Sequence, residues 1–227
     1  MNKKFQEQIG DFSYDAGQAI LGAIPAWGPI CSYIFGKLVQ SPTEERRVKW
    51  MNEIGIRLAK IEAETAGFIA SLETNDSFLD MLYQASNIAI RNSQQNKLNA
   101  LKNAVINSAL NEVLSYSIKQ NYINLIDQLT PLHLQILVLL NNPRKHYKDN
   151  NIDTSIYVSV SLRSVILDAF PELHGQLPTI VLFVQDLYRL GLLNTNDVTD
   201  ITTTPFEPRT SALGKMFILF ISEPKLN

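Results

Sequence analysis

The stretch AGQAILGAIPAWGPICSYIFGKLV, Ala16 to Val39, is the most apolar part of this 227-residue chain and carries no charge from Ala16 to Gly36. Those 21 uncharged residues match the length of a membrane-spanning helix, roughly 20 residues. But Pro25 and Pro29 fall near the middle, beside Gly22 and Gly28. Proline removes an amide donor and clashes with the preceding turn, so one straight helix is not expected. The stretch reads instead as two short helices around a turn, Ala16–Ile24 and Ile30–Val39. Each is about 15 Å long, half of a bilayer core of about 30 Å. Such a hairpin has two uses. Packed inside the protein it is core. Released, Ile20, Leu21, Ile24, Trp27, Ile30, Tyr33, Ile34 and Phe35 form a membrane or partner segment, with Trp27 and Tyr33 at the headgroups. The buried use is favoured, because a mean hydropathy of −0.03 suits a water-soluble chain.

Composition narrows the classes. Hydrophobic residues make up 45% and charged residues 19%, enough to build a core and too apolar for wholesale disorder. The net charge of −2 argues against a general polyanion binder. Cys31 is the only cysteine, so no intrachain disulfide forms. The N-terminal MNKKFQEQIGDFSYD has no apolar run beside its lysines, which fits a secretory signal poorly and predicts a cytoplasmic protein, membrane-associated only on activation.

Downstream the chain reads as helices. Ser41, Pro42 and Glu44 predict a capped helix start. From there Met51, Ile54, Leu58, Ile61, Thr65, Phe68 and Leu72 keep an alternating three-and-four spacing. That seam serves a bundle helix or, as the alternative, a homo-oligomeric coiled coil. Glu44, Glu45, Arg46, Arg47 and Lys49 read as a solvated face. Asn75 or Asp76 caps a helix with Phe78, Leu82, Ala85, Ile88 and Ala89 inward, and Leu98, Leu101, Val105 and Leu110 continue the pattern. No Pro or Gly interrupts residues 76–113, so one helix kinked near 92–96 and two helices are both consistent. A further helix at Ser117–Leu129 turns Ile118, Tyr122, Leu125, Ile126 and Leu129 inward. Residues 1–129 are therefore expected to be a helical bundle containing the apolar hairpin.

Thr130-Pro131 marks the boundary to a second domain, 130–227, as an N-cap followed by proline at the first helical position. A short apolar helix, Pro131–Leu140, stops at Asn141-Asn142-Pro143, and residues 144–151 read as a polar loop. Ser155–Phe170 is ambiguous, strand-like in Ile156–Val160 and helical after it. Pro178 opens the next helix and Gly191 stops it. A turn-rich segment and a final helix follow. Helix, helix, helix, hairpin, helix resembles a winged helix-turn-helix. The phrases LYRLGLL at 187–193 and RTSALGKMF at 209–217 carry that resemblance. The fold class is thus mainly all-α, with one small β-hairpin.

Those two phrases, together with LIDQLTPLHLQIL at 125–137 and the helical first half, are similar to bacterial abortive-infection-alpha-type proteins over residues 76–222. The resemblance implies a prokaryotic, non-enzymatic role in phage exclusion or a related protective response. It transfers no functional residue.

A search for chemistry returns little. His133, His146 and His174 are not spaced as ligands, so neither a metal nor a cofactor is expected. No phosphate loop, nucleophile elbow or HExxH occurs, and no catalytic residue is assigned. His133 reads as a surface or capping histidine. For DNA, the candidate contacts are Arg144, Lys145, Lys148, Gln185 and Arg189. Residues 130–227 nevertheless hold eight Lys or Arg against nine Asp or Glu, and the helix at 178–190 is mostly apolar. A protein partner is expected ahead of a membrane or DNA. A DNA-binding transcription regulator is the alternative.

Overall fold

A computed structural model describes residues 42–111, 113–154 and 159–224. The apolar hairpin expected at Ala16–Val39 lies outside the described residues, as does the cap at Ser41. Among the described residues there are ten α-helices and one two-stranded sheet. The chain divides into two compact units. One holds the described residues up to Asp127 and those from Ile221 onward, and the other is Gln128–Phe220.

The first unit is built from α1 (Pro42–Glu64), α2 (Phe68–Glu73), α3 (Asp76–Ile90), α4 (Gln95–Leu110) and α5 (Tyr116–Gln128). α1 packs on α3 and α4, and α3 and α4 pack on each other. Met51, Ile54 and Leu58 of α1, Met81, Leu82 and Ala85 of α3, and Leu101, Ala104 and Val105 of α4 are fully buried. Their burial removes apolar surface at roughly 25 cal/mol per Å², the main force holding the bundle.

The expected seam holds only as far as Ile61. α1 ends at Glu64, Thr65 is exposed, and Gly67 turns the chain with φ 86°. α2 then starts afresh with Ile69 and Leu72 inward, and Phe68 is only half-buried. The stripe on α1 is covered within a single chain rather than left open along three heptads. Glu62 bridges the break: its carboxylate accepts from Gly67 N at 2.7 Å and Ile69 N at 2.6 Å. It thereby satisfies donors that a new helix leaves bare.

Arg47 departs from the expected solvated face. It is buried and donates Nη2 to Asn87 Oδ1 at 3.0 Å. The chain at 76–113 resolves into two helices, with Asn75 capping α3 through Phe78 N at 3.0 Å. The polar residues 91–94 separate them. Leu110 and Ile118 are exposed, not inward. In α5 the inward position beside Tyr122 goes instead to Lys119, whose Nζ donates to Ser108 O in the last turn of α4 at 2.9 Å. Lys97 does the same for α5, donating Nζ to Asp127 O at 2.6 Å. The last carbonyls of a helix lack intrahelical partners and sit at its negative end, so a lysine suits both needs. A third buried lysine, Lys102, bonds Glu53 of α1. Asn103 and Asn107 of α4 donate to Ile221 O and Ser222 O, each at 2.9 Å, which ties the last described residues to this unit.

The second unit runs α6 (Pro131–Asn141), α7 (Pro143–Asp149), β1 (Val160–Ser161), α8 (Leu162–Ala169), a short 3-10 turn (Pro171–Leu173), α9 (Leu177–Arg189), β2 (Ile201–Thr202) and α10 (Ala212–Ile221). α6 is its centre and packs on α7, α8 and α9. Thr130 caps α6 as expected. The segment read as a polar loop, 144–151, is helix α7 as far as Asp149. Asn142 caps it by accepting from Lys145 N at 3.1 Å, with Pro143 at the first position. Pro143 and Tyr147 are its buried residues, and Tyr147, fully buried, donates to Asp168 of α8 at 2.7 Å. β1 pairs antiparallel with β2, Val160 opposite Thr202 and Ser161 opposite Ile201. A bridge between Leu193 and Thr210 closes the base of the excursion that carries β2.

Candidate functional site

The residues singled out for binding in the second unit come from two helices. Arg144, Lys145 and Lys148 lie on α7, and Gln185 and Arg189 on α9. Three of the four cations sit on carboxylates of their own unit. Arg144 Nη2 is 3.2 Å from Glu207 Oε1, Lys145 Nζ 2.7 Å from Asp149 Oδ2, and Arg189 Nη1 3.4 Å from Asp186 Oδ1. Lys148 is exposed and Gln185 half-buried. Exposed pairs of this kind are individually weak, about 0–1 kcal/mol, so they would not hold the cations back from phosphate. Their consequence is electrostatic. At three of the four cations a carboxylate already stands where a phosphate would have to come, which brings the local field toward neutral.

The outward side of α9 sets three apolar or aromatic side chains beside one cation, Arg189. Pro178 is exposed, Leu182 is 49% exposed and Tyr188 44%. The inward side, Ile180, Val184 and Leu187, is buried. The excursion after α9 adds Ile201, 76% exposed on β2. Its turn is fixed by Asp197, whose Oδ1 accepts from Thr199 N at 2.8 Å and Asp200 N at 3.0 Å. These bonds hold the Asp197 carboxyl below its usual value. Arg209 is spent inside the same excursion, donating Nη2 to Thr204 O at 2.7 Å.

His133 is not on the surface. It is buried at the start of α6 and does serve in the cap, as half of a capping box with Thr130. Its ring lies 4.2 Å from that of Phe183 on α9, and Nε2 is 3.6 Å from Asp186 Oδ2. Burial holds the imidazole below its ordinary value, and Asp186 pulls the other way without reversing the sign. The sequence signal for this arrangement is the phrase Thr130-Pro131-Leu132-His133, with histidine where a capping box ordinarily has Glu or Gln. Nothing local in the sequence points to Asp186 as its partner, 53 residues on.

Among the described residues no group of three or more His, Cys, Asp or Glu side chains is placed to hold a metal ion. His174 is exposed, and His146 lies edge-on to Tyr147 at 5.8 Å. No single helix among the described residues is long and apolar enough to cross a membrane. The candidate membrane or partner residues, Ile20 to Phe35, lie outside the described residues. Comparison of the chain with protein-family models, with curated proteins and with solved structures finds no match to any of them.

Proposed function

We propose that this chain acts by binding, without catalysis, and that its second unit is a winged-helix-type module used on a protein partner. In that reading α6, α8 and α9 are the three helices, the β1–β2 pair and the separate Leu193–Thr210 bridge are the strand pairings, and residues 194–209 are the wing. The observation that carries the protein over the DNA reading is the surface of α9. Its exposed side chains are Pro178, Leu182, Tyr188 and Arg189, and the one cation among them lies against Asp186. A major-groove reader needs polar side chains for base edges and flanking cations for phosphates, and α9 offers an apolar ridge instead. The setting we propose is a bacterial protective response of the abortive-infection type, on the strength of the phrases at 125–137, 187–193 and 209–217.

The deciding experiment places a photo-crosslinking residue at Leu182 in one preparation and at Lys148 in another, and titrates the full chain with duplex DNA at low salt. Protein adducts from Leu182 that disappear in a Tyr188→Asp variant, with no salt-dependent DNA binding, support the module as a protein binder. DNA binding that weakens with salt and is lost in Arg144→Ala/Lys145→Ala/Lys148→Ala would replace it with the transcription-regulator reading. Co-flotation with anionic liposomes tests separately whether the 16–39 segment engages membranes.

A further inference from the structure

His133 occupies the third position of α6, and its ring nitrogens face two different helices. Nδ1 accepts from the main-chain N–H of Thr130 at 3.3 Å and lies 2.8 Å from the Thr130 hydroxyl, which can donate to a bare Nδ1 or accept from a protonated one. The same hydroxyl oxygen accepts from His133 N at 3.4 Å. An Nδ1 that accepts carries no proton, so the ring proton sits on Nε2. Nε2 is buried and has no hydrogen-bond partner; Asp186 Oδ2 stands 3.6 Å away, just beyond bonding distance. The ring is therefore fully engaged with α6 and poised, without a bond, toward α9.

Adding a proton reverses this balance. Nδ1–H can no longer accept from the Thr130 N–H, and the cap of α6 loses one of its two reciprocal bonds. A cation at a helix N-terminus is also opposed by the helix dipole. On the other side, an imidazolium Nε2–H gains a charge-assisted bond once the gap to Asp186 closes. We propose that His133 is a proton-operated latch between α6 and α9: neutral, it closes the α6 cap on the Thr130 N–H; protonated, it gives up that N–H and bonds Asp186. Asp186 is the charged group of α9 whose field reaches the imidazole, and Arg189 holds its other oxygen at 3.4 Å. The other elements packed on α6, namely α7 and α8, carry charged groups of their own. On α7, Arg144 and Lys145 pair with Glu207 and Asp149, His146 lies against Tyr147, and Lys148 is exposed. On α8, Asp168 accepts from Tyr147, and Arg163 is half-buried with its Nε buried and without a hydrogen-bond partner. Burial holds the ring below its ordinary value, which puts the latch on the acid side of neutrality.

The inference does not depend on what α9 binds, and its test needs no partner. Full-length protein is followed by NMR from pH 7.5 to 5, reading the His133 ring, the Thr130 amide and the amides of Phe183 and Asp186. The expected result is one shared midpoint below about 6.5, the unperturbed histidine value. His133→Gln keeps an acceptor for the Thr130 N–H and cannot titrate, so its amides should stay flat. Asp186→Asn removes the group that favours the charged ring, so its midpoint should fall. Thr130 and α9 amides that fail to titrate with the ring in wild type would overturn the latch, as would a titration unchanged in His133→Gln. The wild-type titration decides the matter even if the glutamine variant does not fold.

Discussion

The backbone of Leu192 and the α-carbon of Gly214 stand so close that a β-carbon on Gly214 would lie 2.1 Å from Leu192 O. The start of α10 is laid directly on the chain leaving α9. Ser211 N donates to Leu192 O at 3.0 Å, and Ser211 Oγ bonds Gly191 O at 2.5 Å while accepting from Gly214 N at 2.9 Å. Backbone cannot yield as a flexible side chain can. Gly214→Ala should therefore destabilise the protein by about 1–3 kcal/mol, the usual cost of overpacking. A Tm lowered by several degrees in thermal unfolding is expected. A variant with unchanged Tm would show that α10 does not approach Leu192 so closely.

Glu62 gives an acid-limb prediction. The N–H groups of Ile69 and Gly67 hold its carboxyl below the usual value. A carboxyl depressed in the folded state contributes stability that is fully present above its unfolded value, about 4.3, and is lost as pH falls through the folded value. Glu62→Gln, which accepts more weakly and does not titrate, should be less stable than wild type at neutral pH. The gap should close below about pH 4. Tm measured from pH 7 to pH 3 for both proteins checks this. A gap that stays constant across the range would mean that Glu62 contributes only shape.

How much was legible in the sequence follows from which forces are local. Asn75 and Thr130-Pro131 announce helices because a cap acts within three residues, and both do cap. The helical character of the chain was legible for the same reason, since the apolar spacing of α1 and α3 repeats at each turn. The end of α1 was not: the apolar spacing runs on through Thr65 and Phe68, while the break depends on Gly67 adopting φ 86° and on Glu62 reaching forward to cap α2. Lys97, Lys102, Lys119 and Arg47 are buried without any local sign of it. A buried cation is placed by a distant carbonyl, amide or carboxylate, and periodicity carries no record of it. The histidine site was half visible, in the cap and not in Asp186.

The lysines that close helix ends make their own prediction. Lys97 is buried with its ammonium on Asp127 O, and burial lowers its pKa despite the nearby Asp127 carboxylate. Lys97→Met removes the donor and leaves a carbonyl at the end of α5 unsatisfied, a cost of about 1–3 kcal/mol, reduced by the charge that no longer has to be buried. The exposed Lys148→Met should change stability by less than about 0.5 kcal/mol. Denaturant unfolding of the two variants under one set of conditions gives the comparison. Equal midpoints would show that the Asp127 carbonyl finds water instead.

Tyr147 decides whether α7 is a helix held in place or a surface loop that happens to coil. It is fully buried, its ring lies 4.8 Å from that of Phe206, and its hydroxyl donates to Asp168 Oδ2. Apart from Pro143 at its start, the rest of α7 is charged or polar, so this side chain is the main apolar attachment of a seven-residue helix that cannot stand alone. Tyr147→Ala should cost about 3–5 kcal/mol, the range for emptying a buried aromatic site, and should raise amide exchange in α7 above that of α6. Tyr147→Phe keeps the packing and deletes one bond to a charged acceptor, so a loss of about 1.5–3 kcal/mol is expected. If both variants exchange and unfold like wild type, the polar loop expected at 144–151 is the better description of this segment.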